Sequence, residues 1–85
     1  MSKLIFAVRA WDEYLYWQTM DRKTLKRINQ LLKDIARENG GIGKPEPLRH
    51  HKGWSRRIDN VNRLVYTIQA DGSIEILQCK GHYDD

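Results

Sequence analysis

The sequence predicts an α+β fold in which two N-terminal helices pack on a small antiparallel β-sheet, in the order β-α-α-β-β-β. Apolar residues recur at helical spacing between residues 25 and 35, and short stretches rich in strand formers lie on both sides of that region. The pair Asp71-Gly72 indicates a tight hairpin between the last two strands. Because the chain has 85 residues, we expect one domain spanning residues 1–85.

The first strand and the first helix are predicted from apolar patterning. Lys3–Val8 is an apolar run, and we expect a largely buried strand there. Ala10–Gln18 lacks Gly and Pro and places Trp11, Tyr14 and Leu15 on one helical face. We expect these aromatic residues to cover the core, with a stacking platform for nucleic acid as the alternative.

The second helix is predicted from Arg22 to Asn39. Asp21 is a suitable N-cap, and Gly40 is expected at the C′ position. The buried stripe is predicted to contain Leu25, Ile28, Leu32 and Ile35. The remaining surface is basic: Lys23, Lys26, Arg27, Lys33 and Arg37. We interpret it as a solvated face that could also bind nucleic acid or an acidic partner.

The segment Gly43-Lys44-Pro45-Glu46-Pro47-Leu48 places a glutamate between two prolines. Each proline restricts its own φ and favours an extended conformation in the residue before it. We therefore expect Lys44 and Glu46 to be extended, with the Glu46 carboxylate presented on a stiff loop. The alternative is a rigid spacer between helix and sheet.

The C-terminal third predicts three strands, at Trp54–Asp59, Arg63–Gln69 and Ser73–Cys79. With Asp71-Gly72 as a two-residue loop, Gln69 would pair with Ile74 and Val65 with Gln78. Alternation then places Arg63, Lys80 and His82 on one face of the sheet. The predicted core face carries Leu64, Tyr66, Leu77 and Cys79. A three-residue turn at 60–62 would add Arg57 to the Arg63 face, whereas a two-residue turn would not.

Composition restricts the chemistry of the chain. The formal net charge is +4, which suits a partner that carries phosphates or an acidic protein. The single Cys79 permits no intrachain disulfide, and neither a signal peptide nor a membrane span is predicted, so we expect a cytoplasmic protein. The spacing of His50, His51, His82 and Cys79 matches no known metal site, and we expect no metal or cofactor.

Glu46, Arg63 with Arg57, and His82 are sufficient for one reaction, the cleavage of RNA by its own 2′-hydroxyl. That reaction needs a base for the 2′-proton, cations for the phosphorane and an acid for the departing 5′-oxygen.

Five blocks of sequence are similar to the successive motifs of the YoeB/Txe toxins of the RelE-like superfamily. These blocks are Trp11-Asp12-Glu13-Tyr14-Leu15-Tyr16-Trp17, Gly43-Lys44-Pro45-Glu46-Pro47-Leu48, Trp54-Ser55-Arg56-Arg57-Ile58, Arg63-Leu64-Val65-Tyr66 and His82-Tyr83. The resemblance implies a RelE-like fold and a ribosome-dependent mRNA endonuclease that cuts codons in the A site. It also implies an antitoxin of the Phd/YefM type that covers the active site, and possible homodimers.

The resemblance also implies roles for individual residues. It assigns the base to Glu46, the transition-state arginine to Arg63 and the acid to His82. The residues implied in substrate binding are Lys44, Arg49, His50, Arg57 and Tyr83.

The chain departs from the family pattern at three places. The loop between His51 and Trp54 is shorter than the family pattern, which could shift Glu46. Val61-Asn62 stands where the family has an acidic residue and a histidine, and Asp84-Asp85 follows the tyrosine at which family chains commonly end. These departures leave open a non-catalytic or decayed module that binds RNA, the ribosome or an antitoxin.

Overall fold

The computed structural model describes residues 3–37 and 41–83 and has an α+β fold, as predicted: two helices pack on one face of a five-stranded sheet. Its elements are β1 (Leu4–Phe6), α1 (Val8–Met20), α2 (Arg22–Ala36), β2 (Glu46–Pro47), β3 (Trp54–Arg57), β4 (Arg63–Ile68) and β5 (Ile74–Gln78). The strand order is β1-β5-β4-β3-β2.

The sheet differs from the prediction at both edges. β1 pairs with β5 in parallel, so the sheet is mixed rather than antiparallel throughout. The proline loop contributes the additional strand β2, which pairs antiparallel with β3. The prediction that the first strand is largely buried is wrong, because Leu4 and Ile5 are exposed on an edge strand. An edge strand has a neighbour on one side only, so fewer groups cover it.

Helix α1 packs on the sheet through Ala10 and Trp17, which are buried. Tyr14 packs against the core as predicted, but Trp11 and Leu15 are exposed. The Trp17 indole Nε1 donates a hydrogen bond to the Cys79 carbonyl oxygen (2.9 Å). The apolar spacing thus identified the helix but assigned only part of its buried face.

Helix α2 begins as the sequence indicates. Asp21 is its N-cap, since the carboxylate accepts hydrogen bonds from the backbone N–H groups of Lys23 and Thr24. Its buried residues are Ile28, Leu31, Leu32 and Ile35. The helix ends at Ala36, and the expected end at Asn39 and Gly40 lies outside the described residues. Within the described part of the chain, neither helix is long and apolar enough to cross a membrane.

The hairpin between β4 and β5 is longer than predicted and contains a β-bulge. Ile68 pairs with Ile74, which leaves a five-residue connection instead of the Asp71-Gly72 loop. The register shifts by one residue at Leu77, after which Val65 pairs with Gln78 as predicted. Consequently Ile76, rather than Leu77, belongs to the core cluster.

Candidate active site

A row of cross-strand neighbours runs over the sheet face opposite the helices, which we call the open face. Glu46 on β2 pairs with Ser55, Ser55 pairs with Val65, and Val65 pairs with Gln78. Directly opposed residues share a face. The intervening Leu64 and Tyr66 contribute to the core cluster with the helices, so the Glu46 row faces away from the helices.

A polar cleft of about 350 Å³ lies on the open face. Its lining residues come from β2, from the loop after it, from two central strands and from the segment after β5: Glu46, Pro47, Leu48, Arg49, Ser55, Arg63, His82 and Tyr83. The predicted base, transition-state arginine and acid therefore border one cavity. The positions of Arg63 and His82 match the face argument from sequence, but Lys80, which was predicted on the same face, lies over the Tyr16 ring of α1 (4.1 Å from Nζ to the ring centroid). The chemical roles of Glu46, Arg63 and His82 remain predictions.

Backbone geometry presents Glu46 to the cleft. Glu46 lies in a strand, as expected, but Lys44 has a left-handed φ of 51° and is not extended. Gly43 is also left-handed (φ 79°), and its carbonyl oxygen accepts a hydrogen bond from the Arg57 N–H (2.7 Å). This turn directs the following prolines along β3, and it leaves Lys44 outside the cleft lining.

Arg63 is held by backbone acceptors at the start of β4. Its Nη1 donates to the carbonyl oxygens of Asp59 (2.7 Å) and Asn62 (3.1 Å). The Asp59 carboxylate in turn accepts from the Val61 and Asn62 N–H groups. Burial acts to raise the pKa of Asp59, but these hydrogen bonds outweigh it and lower that pKa below its usual value. The connection that carries Arg63 is therefore braced by an ionised carboxylate.

The segment after β5 brings His82 and Tyr83 to the cleft. Its backbone is held by side chains: Gln78 Nε2 donates to the carbonyl oxygens of Gly81 (3.1 Å) and His82 (2.9 Å). Asn62 Oδ1 accepts from the Gly81 N–H (2.7 Å). Composition and spacing did not identify Asn62 or Gln78. The predicted pairing of Val65 with Gln78 was the one available signal for Gln78.

Three of the predicted substrate-binding residues lie outside the cleft lining. These are Lys44, His50 and Arg57, all of them exposed. Arg57 pairs directly with Arg63 across β3 and β4, so the two arginines share the open face. The structure thus selects the option that placed Arg57 beside Arg63. Ser55, which the sequence analysis did not single out, lines the cleft two residues before Arg57 on the same strand.

Arg56, between these two residues, faces the helices instead. Only 5% of it is exposed, and it donates to the Asp34 carboxylate, the Ile42 carbonyl oxygen and the Tyr66 hydroxyl. The Arg56 side-chain hydrogen bond holds the pKa of Asp34 below its usual value. This partly buried ion pair joins α2 to β3 and was not predicted, because alternation alone does not say which of two neighbouring arginines is buried.

A second groove, of about 430 Å³, lies on the helix side and is lined mainly by apolar residues such as Ile35, Pro45 and Trp54. Its titratable lining residues are Arg56 and Tyr66, which already bond to each other. The polar cleft is therefore the better candidate for chemistry. Its carboxylate can accept a proton, its imidazole can donate one, and its guanidinium groups can bind phosphate.

The fold and the site define a small α+β protein with a cleft of acidic, basic and imidazole side chains on the open face of its sheet. The family model for the YoeB-like toxins of bacterial type II toxin–antitoxin systems matches residues 6–83. Toxin YoeB of Escherichia coli is 49% identical over 84 residues, which cover 95% of this chain and 99% of that protein. Toxin YoeB of Synechocystis is 51% identical over 84 residues, which cover 95% of this chain and 96% of that protein. The chain belongs to the YoeB-like toxin family, which confirms the resemblance found in the sequence.

Solved structures show the same similarity. A YoeB/ParE toxin from Agrobacterium tumefaciens has a TM-score of 0.89 at 38% identity and covers 95% of this chain and 99% of its own. The heterotetrameric YoeB–YefM toxin–antitoxin complex from Staphylococcus aureus contains a chain with a TM-score of 0.86 at 44% identity, covering 98% and 99% of the two chains. A YoeB dimer from the same organism has a TM-score of 0.86 at 45% identity, covering 96% and 98%.

Proposed function

We propose that this type II toxin is a ribosome-dependent mRNA endonuclease that cuts codons in the A site. The observation that carries the proposal is the meeting of Glu46, Arg63 and His82 around one cleft, although they come from three separate elements. Family membership supports the toxin class, and the cleft chemistry supports the reaction.

In the proposed reaction, the Glu46 carboxylate removes the proton from a ribose 2′-hydroxyl. The 2′-oxygen attacks the adjacent phosphorus, and the bond from phosphorus to the 5′-oxygen breaks. Arg63 stabilises the extra negative charge of the phosphorane, and His82 protonates the departing 5′-oxygen. The products are a 2′,3′-cyclic phosphate and a 5′-hydroxyl. Every atom and proton is accounted for by RNA and these three side chains.

The remaining predicted residues would bind substrate around that centre. Arg49 and Tyr83 line the cleft, so they can contact a phosphate and a base directly. Arg57, beside Arg63 on the open face, can contact an adjacent phosphate. Lys44 and His50 lie outside the lining, and we propose that they contact more distant parts of the RNA.

The ribosome would supply the orientation that the cleft does not. A cleft of about 350 Å³ has room for little more than one nucleotide, so most of an mRNA would lie outside it. Holding the substrate in a reactive geometry is worth about 7–11 kcal/mol in the best cases. The net charge of +4 favours approach to an RNA-rich particle. We accordingly place the protein in the cytoplasm.

We also propose an antitoxin of the Phd/YefM type as a partner, on the basis of the YoeB–YefM complex from Staphylococcus aureus. A segment of that partner would cover the cleft and neutralise part of its positive charge. The YoeB dimer from the same organism supports a possible homodimer.

A second candidate is a non-catalytic member of the family that binds ribosomes or antitoxin without cutting RNA. It is favoured by Val61-Asn62, which stands where the family pattern has an acidic residue and a histidine. The Arg63 guanidinium is instead held by the carbonyl oxygens of Asp59 and Asn62. Another departure, Asp84-Asp85, lies outside the described residues.

Primer extension on mRNA in purified translating ribosomes tests both candidates. We expect cuts inside A-site codons, and Glu46→Gln or His82→Gln should slow cleavage by about 10²–10⁴-fold. Glu75→Gln is the matched control, because Glu75 is a carboxylate of the same sheet that lies outside the cleft lining.

Persistent cutting by Glu46→Gln would assign the base to another group. Ribosome binding without any cuts by the wild-type protein would support the non-catalytic candidate.

A further inference from the structure

The segment after β5 has an unusual attachment. It carries His82 and Tyr83, two of the cleft-lining side chains, yet it lies beyond the last strand. One backbone bond ties it to the sheet, from the Arg63 N–H to the Gly81 carbonyl oxygen (3.0 Å). At its start, Cys79 is held by side chains of α1, since its N–H donates to the Glu13 carboxylate and its carbonyl oxygen accepts from the Trp17 indole. The other described backbone bonds of residues 81–83 go to the side chains of Asn62 and Gln78.

Asn62 lies between two parts of the proposed active site, the segment that carries His82 and the side chain of Arg63. Its Oδ1 accepts from the Gly81 N–H, and its Nδ2 donates to the Asp59 carboxylate (2.9 Å). Its own carbonyl oxygen accepts from Arg63 Nη1 (3.1 Å). One residue therefore contacts both the segment that carries His82 and the guanidinium of Arg63.

Gln78 holds the same segment from the sheet. Only 3% of it is exposed, so its amide would be costly to bury without partners. Both Nε2 hydrogens can be used, because a primary amide has two donors and the two acceptors here are successive carbonyl oxygens. Gln78 does not line the cleft, so it is not placed to touch substrate.

We infer that Asn62 and Gln78 are positioning residues that together fix residues 81–83 so that His82 and Tyr83 face the cleft. We call this pair of side chains the tail clamp. The part of this inference that concerns catalysis rests on the proposed function. The hydrogen bonds of the tail clamp do not depend on whether the protein cuts RNA.

The first measurement does not depend on activity. Amide hydrogen exchange of Gly81, followed by NMR, reports directly on the bond to Asn62. Asn62→Ala should speed this exchange by about fivefold, the effect of one lost hydrogen bond. Gln78→Met keeps the side-chain length but removes both donors, and it should lower the backbone order parameters of residues 81–83. Asn60→Ala, in the same connection as Asn62, is the control and should leave these values unchanged.

The second measurement is cleavage on translating ribosomes. Because His82 is proposed to act in the chemical step, Gln78→Met should lower kcat by about five- to tenfold and change KM by less than twofold. A general loss of structure would instead reduce the folded fraction, which a denaturation curve at the assay temperature measures separately.

Each outcome decides the inference. Unchanged exchange and order in both clamp variants would overturn it, whatever the activity. A loosened tail with unchanged kcat would show that the clamp does not position His82. If the wild-type protein makes no cuts, the proposed function fails, and the exchange data still determine whether the clamp exists.

Discussion

Replacing Gly53 by alanine would insert a Cβ atom between two strands. Gly53 directly precedes β3, and an added Cβ would lie 2.7 Å from the Tyr66 carbonyl oxygen on β4. It would also meet side-chain carbons of Leu48 at 3.1 Å and Thr67 at 3.2 Å. The nearest of these atoms belongs to the backbone of a central strand, so it cannot move without disturbing the sheet.

Two costs combine at this position. The φ of Gly53 is 138°, a conformation that costs a residue with a Cβ about 1–3 kcal/mol. Crowding in a packed region adds about 1–3 kcal/mol. We therefore expect Gly53→Ala to lower the free energy of unfolding by about 3 kcal/mol or more. For a chain of this length the total is about 4–13 kcal/mol.

Alanine substitutions at two further glycines distinguish the cost of the backbone conformation from the cost of crowding. Gly72 has a φ of 86°, but its added Cβ would meet no described atom within 4 Å, so Gly72→Ala should cost only about 1–2 kcal/mol. An alanine Cβ at Gly41 would also meet no described atom within 4 Å, so Gly41→Ala should cost less than Gly53→Ala.

Urea denaturation followed by tryptophan fluorescence gives the three values, with an unchanged m-value as the check on two-state behaviour. Equal losses for Gly53→Ala and Gly72→Ala would refute the steric part of this reasoning. The carbonyl oxygen of Gly53 also accepts from the Leu48 N–H (3.0 Å), so we expect Gly53→Ala to disturb the loop that forms one wall of the cleft.

Two further predictions concern titratable groups. Because Arg56 lowers the pKa of Asp34 in the folded chain, Asp34 adds stability that is complete above its unfolded pKa, near 3.8, and is lost as the pH falls through the lower folded value. Asp34→Asn should lower the urea midpoint at neutral pH and make that midpoint fall less steeply in acid. Asp12→Asn, at an exposed position of α1, is the control and should follow the wild type. Identical pH profiles for Asp34→Asn and the wild type would contradict the prediction. Burial raises the pKa of the Cys79 thiol to about 12, so a disulfide reagent at pH 8 should label the protein only in denaturant, and rapid labelling of the folded chain would show that Cys79 is accessible.

Local signals in the sequence predicted the helices and much of the cleft. The Asp21 cap and the stripe of α2 depend on residues three or four apart, and both are present. Strand alternation placed Arg63 on the face opposite Leu64 and Tyr66, and that too is present. These features could be predicted because each depends on neighbours along the chain.

Features that depend on distant parts of the chain could not be predicted. The parallel pairing of β1 with β5 joins residues that are about 70 positions apart. The pairing of Glu46 with Ser55 turns a proline-flanked loop into an edge strand, although neither proline can donate to a strand ladder. The hairpin register was wrong at Ile74 because Asp71-Gly72 suits a two-residue loop, whereas the packing of Ile74 and Ile76 against the helices requires the longer one.

The bulge at Leu77 determines on which face of the sheet each of the following side chains lies. If Leu77 were paired in the ladder and there were no bulge, strict alternation would carry the core face from Ile76 to residue 78, and Gln78 would enter the core while Cys79 faced outward. With it, Cys79 lies in the core and Gln78 lies opposite, paired with Val65. A single inserted residue therefore places the Cys79 side chain on the helix side of the sheet and the Gln78 amide on the open face. If β5 kept strict alternation through Leu77, the chain would leave the sheet with its histidine and tyrosine directed away from the glutamate.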